Sequence, residues 1–404
     1  KCDDLTTEGG GGGSDGGVVD LGSNSLLYCT NFGVNGKIDN EAGANIVIRG
    51  DGAGDNVTLS DYYFVADATT NIMIDNGSIS TDWVGSTNYA GNMIIGSGTF
   101  RSQEGSTNKC NNLTIATGAT FDVDNDIITV AGDFTTSGGL IGKSAVTLDG
   151  TGDYLTVANN MDEISTTDHF TMESWFRASS GGGFICCRGN AWGTGQVALS
   201  LDGNVPRMTA YGVGDAEIKD INNTDVTDSK WHHLAGTYDG SNMKLYLDGK
   251  LVASEAATDA VGANTNAFQI GARGGSSTFT GDIGRVSVWK QALSEAQIRN
   301  MLFMDFTTMA ADNYDASSNP SGFTDSDCIG WWQFDQGTGT ATDSSASGVA
   351  ATLVNATWAA AGTFTEGSST LTMTGTDKRW YMGSYLGAGS RVNNFTVNGT
   401  ITLQ

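Results

Sequence analysis

Residues 231–250 read WHHLAGTYDGSNMKLYLDGK, and the order of residue types within them decides the fold. Trp231 to Tyr238 is an aromatic and apolar run. Asp239, Gly240, Ser241 and Asn242 then supply a turn, since Gly, Asn and Asp tolerate positive φ and Asp and Ser side chains bond their own backbone. Beyond the turn, Met243, Leu245 and Leu247 alternate with Lys244, Tyr246 and Asp248, the period of a half-buried strand. The stretch is a β-hairpin.

Outward from that hairpin, the composition points the same way. The chain has 404 residues with 57 Gly and only 2 Pro, in a background rich in Thr, Ser, Asn, Asp, Val and Ile. Such a mixture suits many short strands and tight turns, so the expected fold class is all-β. One helix stands out: Ser294 and Gln297 have the spacing of a capping box, opening a helix that runs to about Met304. Forty-five acidic against twenty basic residues give a formal net charge of −25, which repels phosphate backbones and anionic bilayers and argues against nucleic-acid binding. No run of about 18 apolar residues is present, so no membrane insertion by a helix is expected. Lys1 opens the sequence without an initiator Met, as after removal of a leader or in a piece of a longer chain. The six cysteines, at 2, 29, 110, 186, 187 and 328, form no paired zinc pattern. Cys186 and Cys187 should face opposite sides of a strand, and Cys2 with Cys29 is the shortest disulfide to draw, against the alternative of buried free thiols.

Five segments, taken in order, resemble the laminin-G-like and pentraxin-like group of concanavalin A-type jelly rolls: LDGTGDYLTV (148–157), FTMESWFRA (170–178), the 231–250 hairpin, FQIGARG (268–274) and IGRVSVWKQALSEAQI (283–298). The resemblance implies a jelly-roll sandwich over residues 141–305. A further segment, IGWWQFDQGTGTATDSSASGVAATLVNATW (329–358), resembles the strand and loop that usually open such domains; coming last, it would complete a circularly permuted sandwich.

Around this module the chain repeats itself. Asn followed by apolar-x-apolar recurs at Asn45, Asn71, Asn92 and Asn112, at spacings of 26, 21 and 20, and again at Asn394. LTIATGATFDV (113–123) parallels FTVNGTITL (395–403), and Gly98-Thr99-Phe100 parallels Gly362-Thr363-Phe364. Strands of one type every twenty-odd residues signal a β-solenoid or a meander. The expected organisation is a Gly-rich N-terminal segment (1–30), a β-repeat domain (31–140), the jelly roll, a polar connector (306–328) and a C-terminal β-repeat segment (359–404). The jelly roll is thus an insertion between β-repeat segments.

Catalytic patterns are absent from the sequence. His232 and His233 sit side by side in a strand, where a structural role is expected, and His169 stands alone. There is no GxSxG nucleophile elbow and no phosphate-binding loop, nor the E-x-D-x-E run that places acid and nucleophile on one strand face in jelly-roll glucanases. Glu173 has no carboxylate two or four residues on. The chain is expected not to be an enzyme.

Binding is the expected role. Jelly-roll lectins stack an aromatic ring on a pyranose and fix its hydroxyls with carboxylates and amides. Trp192, Tyr211, Arg273 and Phe279 fall in expected loops or strand ends, with Asn190 and Asp215 in the same Gly-rich loops, and these six are the candidate glycan ligands. Trp175, Trp231 and Trp289 are placed in the core. The resemblance also implies a Ca²⁺ site at Asp149, Asp153 and Asp282, although Gly284 and Arg285 stand where relatives carry an acidic pair. The 329–404 region is similar to appendage and tail-fibre-type proteins of environmental bacteriophages. Together these features imply a virion-surface or extracellular structural protein that attaches to glycans or a host surface and forms a homo-oligomer. The alternatives are a bacterial adhesin or secreted polysaccharide-binding protein, and a spacer module that contacts other subunits.

Overall fold

The computed structural model describes residues 144–360, apart from 191–192, 194, 212–215, 305 and 307–324, and beyond that span a series of strands and short turns between Cys2 and Leu403. The Gly9 to Gly17 cluster and most of the 306–328 connector lie outside the described residues. The chain divides into two units. One is Ser144–Ala359, and the other joins Lys1–Lys143 to Ala360–Gln404.

In the divided unit the described strands pair in parallel. Asn45–Ile48, Asn71–Asp75, Asn92–Arg101 and Leu113–Ala116 lie side by side, with Asn45 opposite Asn71, Asn71 opposite Asn92, and Met93 opposite Leu113. The asparagine side chains form a ladder. Asn71 Nδ2 donates to Asn45 Oδ1 at 2.8 Å, Asn92 Nδ2 to Asn71 Oδ1 at 2.9 Å, and Asn112 Nδ2 to Asn92 Oδ1 at 2.9 Å. Identical amides stacked in register each satisfy the next, which is what makes such ladders stabilising. Beside them Ile46, Ile72, Met93 and Leu113 are all fully buried. At the far ends of these strands Arg49 donates to Asp75 at 3.0 Å and Ser97 to the same carboxylate at 2.5 Å. The tail pairs on directly: Phe100 is opposite Phe121, and Phe121 is opposite Phe364. Cys2 stands opposite Cys29 in a parallel pair.

The other unit is a sandwich of two antiparallel sheets. Its strands are β1 (Val146–Asp149), β2 (Tyr154–Val157), β3 (Phe170–Ala178), β4 (Phe184–Arg188), β5 (Val197–Asp202), β6 (Val205–Ala210), β7 (Ala216–Lys219), β8 (Trp231–Tyr238), β9 (Asn242–Leu247), β10 (Lys250–Ala256), β11 (Phe268–Ile270), β12 (Thr280–Trp289), β13 (Cys328–Trp332), β14 (Ala351–Val354) and β15 (Thr357–Trp358). One sheet runs β10–β9–β8–β3–β12–β1–β15, with β13 also on β12; the other runs β7–β6–β5–β4–β11–β2–β14. The late segment therefore adds two strands to the first sheet, β13 on β12 and β15 on β1, and one to the second, β14 on β2.

Period-two alternation builds the core. Phe170, Met172 and Phe176 of β3 point inward to meet Leu199, Met208 and Ile270 from the facing sheet. The hairpin forms as its residues dictate, with Asp239 Oδ1 accepting from the Ser241 and Asn242 amides across the turn. On the outer face of β3, Glu173 and Trp175 are buried as well, because a second layer covers them. Helix α1 is a single turn, Ile164–Thr167. The second layer is helix α2 (Glu295–Met301), capped by Ser294 and Gln297, together with the chain that follows it. Ile298 and Met301 pack with Trp289 and Trp331, Trp175 Nε1 donates to Leu302 O, and Arg285 reaches Met304 O at 2.6 Å.

Candidate functional site on the outer face of the seven-stranded sheet

Strand register lays out one continuous row across the outer face of the seven-stranded sheet. Glu217 is opposite Thr209, Thr209 opposite Ala198, Ala198 opposite Cys187, Cys187 opposite Gln269, and Gln269 opposite Thr156. Their chain neighbours Met208, Leu199, Cys186, Ile270 and Leu155 fill the core, so alternation turns this small and polar row outward. Next to it Gln196 precedes β5, with Tyr211 bonded to its backbone: the Tyr211 amide donates to Gln196 O at 2.8 Å.

This face carries an unbalanced set of polar atoms. Gln196 and Thr209 are both fully buried, yet Oγ1 of Thr209 meets no hydrogen-bond partner among the described residues, and the Gln196 side-chain amide has only the weakly bonding Cys187 thiol beside it. Leaving a buried amide or hydroxyl unsatisfied costs about 1–3 kcal/mol each, so such groups are met by ordered water or by a bound polar group. By contrast, Ser200 is satisfied by Arg207 Nε at 3.0 Å, and Cys187 donates to Gly189 O at 3.2 Å. Burial pushes the Cys187 thiol up to about 12 despite the pull of the Arg273 guanidinium, so it acts as a packing group and not as a nucleophile.

The loops around this face are held by Arg188, whose side chain is fully buried. Its Nε donates to Asn160 O at 3.0 Å, and its Nη1 donates to Gly195 O at 2.9 Å and to Gly262 O at 3.0 Å. Nη2 pairs with Asp162. One guanidinium thereby ties three chain segments, and only its planar fork of donors can serve so many acceptors at once. Gly195 has φ +76°, and a Cβ there would sit 2.3 Å from Gly262 O, so the close approach of these segments requires glycine.

The sequence-derived ligands divide in three ways. Asn190 is exposed just past β4, Tyr211 is half-buried at the end of β6, and Arg273 lies 4.8 Å over the Phe184 ring, so these three border the face. Trp192 and Asp215 lie outside the described residues. Phe279 is a correction: it is fully buried, 6.0 Å from Phe176 ring to ring, and belongs to the core. Its place just before β12 gives it an inward position that the surrounding Gly, Ser and Thr residues disguised. Gln196 and Thr209 were missed, since an isolated Gln or Thr carries no sequence signal.

The proposed calcium ligands do not fit a metal. Asp282 is taken by Arg177 at 2.7 Å and by Thr147 at 2.5 Å, so a guanidinium already neutralises it. Asp153 accepts from the Asp149 amide, and Asp149 accepts from the Thr151 amide, which makes both turn formers. Among the described residues no three His, Cys, Asp or Glu side chains gather as a metal would need. The Arg285 substitution has its own account: Arg285 meets Glu173 inside the second layer.

Residues 149–299 match the family described as the Concanavalin A-like lectin/glucanases superfamily. Over those residues the sandwich unit is similar to laminin-G-like domains. Pappalysin-1 of Mus musculus is 30% identical over 154 residues, spanning 32% of this chain and 9% of that protein. The chain thus covers under a tenth of the curated relative it matches. Among solved structures, domains LG4-5 of the mouse laminin alpha1 chain share 16% identity over 41% of this chain and 46% of theirs, with TM-score 0.31. The Ruminococcus gnavus IT-sialidase CBM40 bound to alpha2,3 sialyllactose shares 14% identity over 41% of this chain and all of its own, with TM-score 0.31. Among the described residues of the sandwich unit and its neighbouring unit, no helix is long and apolar enough to cross a membrane.

Proposed function

We propose that this protein is a non-catalytic surface protein, extracellular or on a virion, whose laminin-G-like domain binds glycans on the outer face of its seven-stranded sheet. The observation that carries the reading is the buried pair of Gln196, whose amide has only the weak Cys187 thiol, and Thr209, whose hydroxyl meets no partner among the described residues. An amide and a hydroxyl offer both donor and acceptor, matching sugar hydroxyls, and the Asn190, Tyr211 and Arg273 loops border them. A lectin-type family match supports the same class of ligand. Because Asp149, Asp153 and Asp282 are already engaged, binding is expected to survive chelation of Ca²⁺.

The test is a glycan array probed with the intact chain, with and without EDTA, and with Gln196→Leu and Thr209→Val. Binding that weakens about tenfold in each variant supports the site, as loss of one to two hydrogen bonds predicts. Absence of binding to every immobilised glycan would leave only the reading of a spacer that contacts other subunits. The parallel return of residues 363–365 beside 120–122 favours the structural part of the proposal, with the domain displayed from a stacked β scaffold. Light scattering separates the virion reading, which calls for a symmetric homo-oligomer, from a monomeric bacterial adhesin.

A further inference from the structure

An open, shallow cleft of about 610 Å³ lies elsewhere in the sandwich unit, lined by the exposed Ala158, Thr265 and Ala267 and the half-buried Asn159, Asn160 and Val349. It is built from the segment after β2, the segment before β11 and the residue pair ahead of β14, and it shares none of its lining with the Gln196 face. Its size falls within the range of small-molecule sites, about 300–1,000 Å³.

The chemistry of the lining is specific. Ala158, Ala267 and Val349 contribute methyl groups, and Asn159, Asn160 and Thr265 contribute amides and a hydroxyl. None of the six is ionisable. Asn159 commits its Oδ1 to the Met161 amide at 2.8 Å, and Asn160 commits its Nδ2 to Asn264 O at 2.6 Å. Among the described residues the Asn159 Nδ2 donor and the Asn160 Oδ1 acceptor have no protein partner. The walls are fixed in advance, because Arg188 Nε holds Asn160 O, its Nη1 holds Gly262 O, and the Phe268 amide holds Asn159 O at 3.0 Å. A rigid cleft loses little conformational entropy on binding.

We propose that this cleft is a second saccharide site, selective for an uncharged pyranose. The C–H face of the sugar lies against the three methyl-bearing residues, and its hydroxyls, each both donor and acceptor, meet Asn159, Asn160 and Thr265. An acidic sugar would bury its carboxylate where the lining offers no cation, a costly desolvation without a paired charge. This site does not depend on the sheet-face reading.

The experiment uses the labelled intact chain on an array of immobilised neutral and sialylated oligosaccharides. Ala267→Trp fills the cleft from an exposed position, Thr265→Ala removes one hydroxyl, and Thr209→Val reports on the other site alone. The expected result is a set of neutral glycans, distinct from those whose binding Thr209→Val weakens, whose binding falls more than tenfold in Ala267→Trp and about fivefold in Thr265→Ala, the loss expected for one hydrogen bond, and is unchanged in Thr209→Val. The proposal is overturned by neutral binding that neither cleft variant weakens, by binding to sialylated glycans alone, or by no binding at all. Neutral binding lost only in Thr209→Val would sink this proposal while leaving the sheet-face site standing. If circular dichroism shows Ala267→Trp unfolded, Thr265→Ala decides.

Discussion

Glu173 and Arg285 meet side on beneath helix α2, Nε to Oε1 at 3.0 Å and Nη2 to Oε2 at 2.7 Å, with both side chains fully buried. Ser287 adds a third bond at 2.7 Å, and His233 Nε2 lies 2.5 Å from Oε2. Burial alone would raise the Glu173 carboxyl, but the Arg285 guanidinium and His233 outweigh it and bring the value down to about 2 from an ordinary 4.5. A value lower in the folded state than in the unfolded chain means the stabilisation is complete above about 4.5 and drains away as pH falls toward 2. Linkage over that window is on the order of 3 kcal/mol. Urea unfolding of the wild type should show this acid-side loss, and Glu173→Gln should flatten it.

Breaking the same pair from one side leaves a buried charge. Arg285→Met is expected to cost roughly 3–5 kcal/mol, measured by the urea midpoint, whereas Glu173→Leu combined with Arg285→Met should recover much of it. A double variant no better than the single one would show that Ser287 and His233 need the carboxylate for themselves.

Arg188→Lys keeps the charge but cannot reach Asn160 O, Gly195 O, Gly262 O and Asp162 together. Hydrogen exchange in 158–162, 189–196 and 262–267 should rise by at least tenfold, with the amides of β3 and β8 unchanged. Uniform acceleration over the sandwich would instead make Arg188 part of global stability.

In the asparagine ladder, Asn71→Ala removes one bond to Asn45 and one from Asn92, a loss of about 2–3 kcal/mol for a part-buried pair. Exchange should quicken first in 45–48 and 92–95. Asn71→Asp, which keeps the shape and loses the donor toward Asn45, should cost a similar amount above pH 5.

The four cysteines whose side chains are described, 110, 186, 187 and 328, are buried and free, and burial pushes each thiol upward, Cys110 and Cys187 to about 12. A thiol reagent at pH 8 should leave these four unmodified until denaturant is added.

How much of this was legible depended on whether the determining contacts were local. The Trp231 to Lys250 hairpin and the Ser294 cap are fixed by residues within a few positions of one another, and the structure forms both as the all-β reading required. Trp175, Trp231 and Trp289 were placed in the core by strand context and are buried there. Glu173 looked solitary because its partners His233 and Arg285 lie 60 and 112 positions away. Asp282 suggested a metal until Arg177, on a neighbouring strand, claimed it. Gln196 and Thr209 become notable only through how poorly they are partnered, a property that no reading of residue order contains.

Thr120 and Thr363 are direct partners in a parallel ladder although about 240 residues separate them. That pairing gives the chain an assembly schedule. Closing so long a loop as loose coil is entropically unfavourable, whereas a sandwich that has already condensed brings Ser144 and Ala359, joined through β1 and β15, close together and leaves only short tethers to close. Docking of strands 363–365 and 370–374 is therefore expected to follow condensation of the sandwich, and a defect in the sandwich core should surface as unzipped rungs far along the sequence from the lesion.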